Sequence, residues 1–160
     1  MSCEFWKNLI GVRTECAIDY GIAKGYFAGG VTTAEIDGIR FNTEAAINPA
    51  ATLSIVRYLL AGVNSDFKGY FGGGYSGGNS SVIDGIQFIT EVAISPSATL
   101  SVARYGLAGV NSSVKGYFGG GVSSSEIDGI QFDTEAAINP AATLSLARIN
   151  LASCQSGNIL

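Results

Sequence analysis

The chain contains no histidine. That single absence removes the Ser-His-Asp triad and every other mechanism that uses imidazole as its base. It also strips the usual zinc site of half its ligand repertoire. The three cysteines, Cys3, Cys16 and Cys154, form no Cys-x-x-Cys pair. They are expected to be ordinary small or buried thiols rather than metal ligands. Positive charge is scarce too, with nine Lys and Arg against thirteen Asp and Glu and a net charge of −4. A nucleic-acid binder draws most of its affinity from neutralised phosphates, so nucleic acid is not an expected partner.

Long apolar runs are missing as well. Ser54–Val63 is interrupted by Arg57, and no stretch reaches the length of a membrane-spanning helix. Met1 to Val12 lacks a basic start followed by an apolar core, so no secretory signal is read there. Synthesis in the cytoplasm is expected, with assembly into a virion or release as later fates. The cellular location is otherwise not specified by the sequence.

What is present is a repeat. Apolar residues make up 47% of the chain and 22 residues are glycine, a core-forming composition with frequent tight turns. Lys24-Gly-Tyr-Phe-Ala-Gly-Gly30 recurs as Lys68-Gly-Tyr-Phe-Gly-Gly-Gly74 and Lys115-Gly-Tyr-Phe-Gly-Gly-Gly121. Ile36-Asp-Gly-Ile-Arg-Phe41 recurs at Ile83–Phe88 and Ile127–Phe132. Arginines at 13, 57, 104 and 148 set the phase, with spacings of 44, 47 and 44. The length change lies in Tyr75–Ser81, three residues longer than its counterparts, which marks a surface loop.

Residues 1–160 therefore form one repeat domain. Residues 1–13 are read as an N-terminal cap or strand, 14–57 as repeat 1, 58–104 as repeat 2 and 105–148 as repeat 3. Residues 149–160 are a partial fourth repeat or clasp strand. Phe5, Trp6 and Ile10 fall outside the repeat pattern, as a cap over a sheet edge or a docking segment. The second unit is predicted to hold strands at Tyr58–Asn64, Lys68–Gly73, Val82–Phe88 and Val92–Val102, the last broken near Pro96. Pro49 argues against the competing helix over Thr43–Arg57.

An aromatic-led strand ending in paired glycines, followed by a strand with a later aromatic, resembles a kelch repeat. Tyr70-Phe71-Gly72-Gly73 and its two relatives correspond to the family's di-glycine element, and Phe41, Phe88 and Phe132 to its later aromatic. The family's tryptophan is replaced by Ile47, Ile94 and Ile138. The resemblance implies an all-β fold of kelch-like β-propeller blades, four strands each. Three blades cannot close a ring, so a homodimer completing six blades is expected. The Gly-Ile-Gln-Phe and Gly-Val-Asn-Ser wording is also similar to repeats in phage-type sequences.

Several repeated residues are candidates for structure or chemistry. Asp37, Asp84 and Asp128 are read as Asp-Gly turns, with a bulge at Gly85 taking the charge off an apolar face; a ring of carboxylates is the alternative. Arg57, Arg104 and Arg148 share a face with leucines and need partners. Glu44, Glu91 and Glu135 are the expected ones, with anion binding as the alternative. Lys24, Lys68 and Lys115 are read as solvated charges. The tyrosines and phenylalanines of the Lys-Gly-Tyr-Phe strand should face opposite neighbours.

The glycine runs are not followed by Lys-Ser/Thr and are no phosphate loop. No catalytic constellation is found, no cofactor is expected, and the chain is read as not an enzyme. The expected function is a binding module whose blade loops meet a glycan or protein, with Tyr75, Ser76 and Asn79 as ligand-binding candidates. The alternative is a structural component, such as a virion decoration or fibre or a cell-surface assembly protein.

Overall fold

The computed structural model describes residues 23–156. Among them are eleven strands and no helix. The strands form three antiparallel sheets, and none of the sheets closes on itself. The first sheet holds β1 (Lys24–Ala28), β2 (Ile36–Arg40) and β3 (Ala46–Ile47). The second holds β4 (Ala61–Asn64), β5 (Lys68–Gly72), β6 (Ile83–Gln87) and β7 (Ala93–Ile94). The third holds β8 (Ala108–Asn111), β9 (Lys115–Gly119), β10 (Ile127–Gln131) and β11 (Ala137–Ile138). Each sheet is a meander in chain order.

Short polar signals set the turns. Between β4 and β5, the Ser65 hydroxyl accepts from the amides of Phe67 and Lys68 at 3.2 and 3.1 Å. Ser112 does the same for Val114 and Lys115 between β8 and β9. Between β6 and β7 the chain reverses at Glu91, which adopts a left-handed φ of 56°. Glu44 and Glu135 adopt the same conformation in their units. That region is sparsely occupied by residues with a side chain.

The register is unbroken through the Ile-Asp-Gly-Ile segments: Phe71 faces Asp84, Tyr70 faces Gly85 and Gly69 faces Ile86. The expected Asp-Gly turn and the bulge at Gly85 are absent; each aspartate lies inside a strand. Gly85 serves close packing instead. A Cβ there would lie 2.9 Å from the Tyr70 ring and 2.7 Å from the Gly69 carbonyl. The predicted long last strand is also shorter than expected. Only Ala93–Ile94 pairs regularly, with one isolated bridge at Thr99. Pro96, lacking an amide hydrogen, stands between them.

The core lies between sheets rather than within one. Phe71 and Ile86 of the second unit pack on Ile36, Ala51 and Leu53 of the first. Phe118, Ile130 and Phe132 of the third pack on Val63, Tyr70 and Leu100 of the second. Tyrosine and phenylalanine of one strand thus serve opposite neighbours, as alternation requires. Where β4 meets β8, a Cβ at Gly109 would strike the Gly62 carbonyl and the Val63 side chain. The chain continues in phase past Arg148. The Gly106 amide donates to Leu59, and the Asn150 amide to Gly106, each at 2.8 Å. Residues 151–156 then lie beside β8, with the Ser153 hydroxyl on the Gly109 carbonyl and Gln155 accepting from the Asn111 amide.

Candidate functional site: the unit junctions and the tyrosine loop

Two buried ion pairs join the units. Arg57 is fully buried, and its Nη1 donates to Asp84 Oδ2 at 2.7 Å. Its Nη2 donates to the Phe71 carbonyl at 3.1 Å. The same Asp84 oxygen accepts from the Ser54 amide and hydroxyl, both at 2.9 Å. At the next junction Arg104 Nη1 stands 2.5 Å from Asp128 Oδ2, and Nη2 donates to the Phe118 carbonyl at 3.1 Å. Ser101 supplies its amide and hydroxyl to Asp128. With its amide turned so that nitrogen faces the carboxylate, Asn139 donates to Asp128 Oδ1 at 3.1 Å. The two arginines differ at one atom. Arg104 Nε donates to the Gly120 carbonyl at 2.7 Å, whereas Arg57 Nε has no hydrogen-bond partner.

The expected arginine–glutamate pairing is therefore corrected. Each of these arginines is paired with the aspartate that follows it in the next sheet. That pairing explains how Asp84 can share a strand face with Ile86: the guanidinium, two serine donors and burial act together.

Two of the glutamates, Glu91 and Glu135, pair with Lys24 and Lys68, which corrects the expectation of solvated charges at those two lysines and leaves it standing at Lys115. Lys24 Nζ lies 2.6 Å from Glu91 Oε1 and also donates to the Phe88 carbonyl. Lys68 lies 2.6 Å from Glu135. Tyr26 and Tyr70 donate their hydroxyls to the same two glutamates at 3.3 and 3.1 Å. Each tyrosine ring stacks on the later aromatic of the following unit. Tyr26 lies over Phe88 at 5.3 Å between centroids, and Tyr70 over Phe132 at 5.7 Å. The hydrogen bond to Lys24 holds the Glu91 carboxyl below its ordinary range, and the same bond raises Lys24. Burial pushes the Tyr26 and Tyr70 hydroxyls up, Tyr70 the further.

The outermost members of each set behave differently. Asp37, Glu44 and Arg148 are exposed and make no side-chain hydrogen bond to another described residue. The structural role assigned to all nine repeated charges is thus seen at six of them at most: Arg57, Asp84, Arg104, Asp128, Glu91 and Glu135.

The longer loop gathers a cluster of its own. Tyr75 is half-buried, not the isolated aromatic that the sequence implies. Its ring meets Tyr58 edge-on at 5.7 Å and Tyr105 at 5.4 Å. Its amide donates to the Tyr58 carbonyl at 2.8 Å. Ser76 and Asn79 are exposed beside it. Val122 takes the place of Tyr75 in the third unit, with its amide on the Tyr105 carbonyl. Tyr58 and Tyr105 each follow the phase-setting arginine, a signal in the sequence that would have found the cluster.

Cys154 is exposed, against the expectation of buried thiols. Cys3, Cys16, Phe5, Trp6, Ile10 and Arg13 lie outside the described residues. Among the described residues no group of three Cys, Asp or Glu side chains is placed to hold a metal ion. No helix there is long and apolar enough to cross a membrane. The chain matches no known protein-family model and no curated protein sequence.

Proposed function

We propose that the chain is a kelch-like propeller scaffold whose work is binding, not catalysis, with the Tyr75 loop as its recognition surface for a glycan or protein ligand. The observation that carries this reading is the cluster of Tyr58, Tyr75 and Tyr105, set where the repeat departs in length. Three aromatic rings fixed against one another offer a rigid apolar platform at little entropic cost. Ser76 and Asn79 beside them add hydroxyl and amide groups that adapt to polar partners. The propeller part is supported by three successive meanders joined by the same ion pair, with β4 and β8 in close backbone approach.

A glycan array probed with wild-type protein and Tyr75→Ala tests the reading. Binding that falls in the variant supports it; an array with no binding, or binding that ignores the substitution, refutes the glycan form. A protein ligand is then sought by crosslinking from Asn79→Cys in a background with Cys3, Cys16 and Cys154 each replaced by Ser.

The second reading is an assembly component, such as a virion decoration or fibre or a cell-surface protein. Exposed Phe27 and Phe41 at one end of the described structure favour it. Negative-stain images with regular particles or filaments are its test.

A further inference from the structure

The two junctions are built alike, so they define what a unit face offers on each side. The leading side of a unit offers a lysine, a tyrosine ring and an arginine: Lys24, Tyr26 and Arg57, then Lys68, Tyr70 and Arg104. The receiving side offers a glutamate, a later aromatic and a strand phenylalanine: Glu91, Phe88 and Phe71, then Glu135, Phe132 and Phe118. Lysine and glutamate stand 67 positions apart in both pairs.

The third unit carries a complete leading side, and among the described residues only 149–156 lie against it, beside β8 and Gly120; its lysine, tyrosine and arginine meet no glutamate, later aromatic or aspartate there. Arg148 is exposed, where Arg57 and Arg104 are fully buried. Its backbone is nevertheless held as theirs is: its carbonyl accepts from the Gly121 amide at 2.9 Å, as Arg57 does from Gly30 and Arg104 from Gly74. Gly119 shows the same open space. Its counterpart Gly72 is covered by the Phe118 ring, within 2.8 Å of an added Cβ, whereas beside Gly119 only Ile127 comes near, at 3.7 Å.

The first unit carries the matching receiving side. Phe27 is 70% and Phe41 60% exposed, against 0% for Phe118 and 5% for Phe132. Phe41 is already in position. It covers its own Gly25 as Phe88 covers Gly69 and Phe132 covers Gly116. Glu44 holds the same left-handed backbone as Glu91 and Glu135.

We infer that the third unit of one copy docks head to tail on the first unit of a second copy, repeating the internal junction. Lys115 pairs with Glu44 of the other copy, Tyr117 stacks on its Phe41, and its Phe27 covers Gly119. The surfaces match in charge and in aromatic placement, because each repeats side chains of a junction the chain already makes twice, with residues 151–156 supplying the segment beside β8. Two reciprocal junctions join two copies into a ring of six sheets, the closure that the propeller reading requires. The junction itself is independent of that closure and of any ligand at the tyrosine loop.

The test is the solution mass of the full chain by sedimentation, with Glu44→Lys, Lys115→Glu and an equal mixture of the two. Wild type is expected at twice the 16.5 kDa chain mass. Each variant alone places like charges across every junction and weakens association by roughly tenfold or more. The mixture restores it, because the two reversed charges then meet as an opposite pair across one junction while the other junction keeps the native pair. That rescue also shows that both variants fold. A wild-type monomer, or variants whose mass follows wild type, overturns the proposal. Open-ended larger species that respond to the same charge swap keep the junction and overturn the ring.

Discussion

Removing one partner of the buried Arg104–Asp128 pair should cost about as much as removing both. Arg104 is fully buried and donates to the Asp128 carboxylate and to the carbonyls of Phe118, Gly120 and Val102. Arg104→Met leaves a carboxylate sealed from water with two serine donors and one amide. Stranding a buried charge in this way costs about 3–5 kcal/mol. For a chain of this size that lowers Tm by roughly 10–15 °C. Asp128→Leu strands the guanidinium instead, with a similar loss. The double variant strands no charge, so its loss is expected near that of either single. The coupling energy is then on the order of 3 kcal/mol. Urea titration followed by far-ultraviolet circular dichroism measures it, since urea leaves charge interactions unscreened. Protein concentration is held fixed because the proposed self-association would add to apparent stability. Arg57→Met is the internal control: Arg57 makes no bond through Nε, so its loss should be smaller by about 1 kcal/mol. Losses that simply add in the double variant would refute the account of the pair as one buried unit.

Packing inside one sheet and pairing across a junction each give a further outcome. Gly129→Ala places a Cβ 2.7 Å from the Gly116 carbonyl and 2.9 Å from the Tyr117 ring, and a paired strand cannot yield there, so stability should fall by about 1–3 kcal/mol in urea. Gly78→Ala, with nothing within 4 Å, should change it by less than about 0.5 kcal/mol. The Lys24–Glu91 pair predicts a pH signature. Glu91 is lowered, so its contribution is present above its unfolded value near about 4.3 and is lost as pH falls through the folded value. Lys24 is raised, so its contribution is present below about 10.4 and is lost as pH rises through the folded value. Stability curves of wild type and Glu91→Gln should therefore differ by a constant small amount near neutrality and converge at both extremes, with a gap that does not close in acid counting against the pair.

Much of the fold is legible in the sequence because its signals are local. Tyr-Phe strands, paired glycines and Ser-led turns repeat in phase, and β5, β6, β9 and β10 fall where they point. The errors have one physical source, which is that pairing partners sit in the neighbouring sheet. Asp84 reads as turn chemistry because a lone charge between Ile83 and Ile86 has no local excuse; its partner, Arg57, is 27 residues away. Glu91 reads as the partner of an arginine because both occur once per unit. A left-handed backbone at Glu91 turns its carboxylate toward Lys24 instead, and single-sequence patterning contains nothing that announces that conformation. The tyrosine cluster is partly legible, since Tyr58 and Tyr105 each follow a phase-setting arginine, but Tyr105 meets Tyr75 only across a unit boundary.

That source of error also says where the stability of each unit resides. The buried side chains of a sheet here pack largely against its neighbours, and its paired charges are satisfied by the sheets before and after it. Stability in such an array is a sum of junctions more than of units. The middle unit has two junctions, and its Tyr70, Phe71, Ile83 and Ile86 are all buried. The first has one among the described residues, and Phe27, the counterpart of Phe71, lies open. The proposed docking of a second copy would give the outer units the junction that the middle one already has. The same side chains that specify the fold then specify the partner, and a substitution at an internal pair such as Lys68–Glu135 reports on what its outward copy, Lys115 with Glu44, is worth between chains.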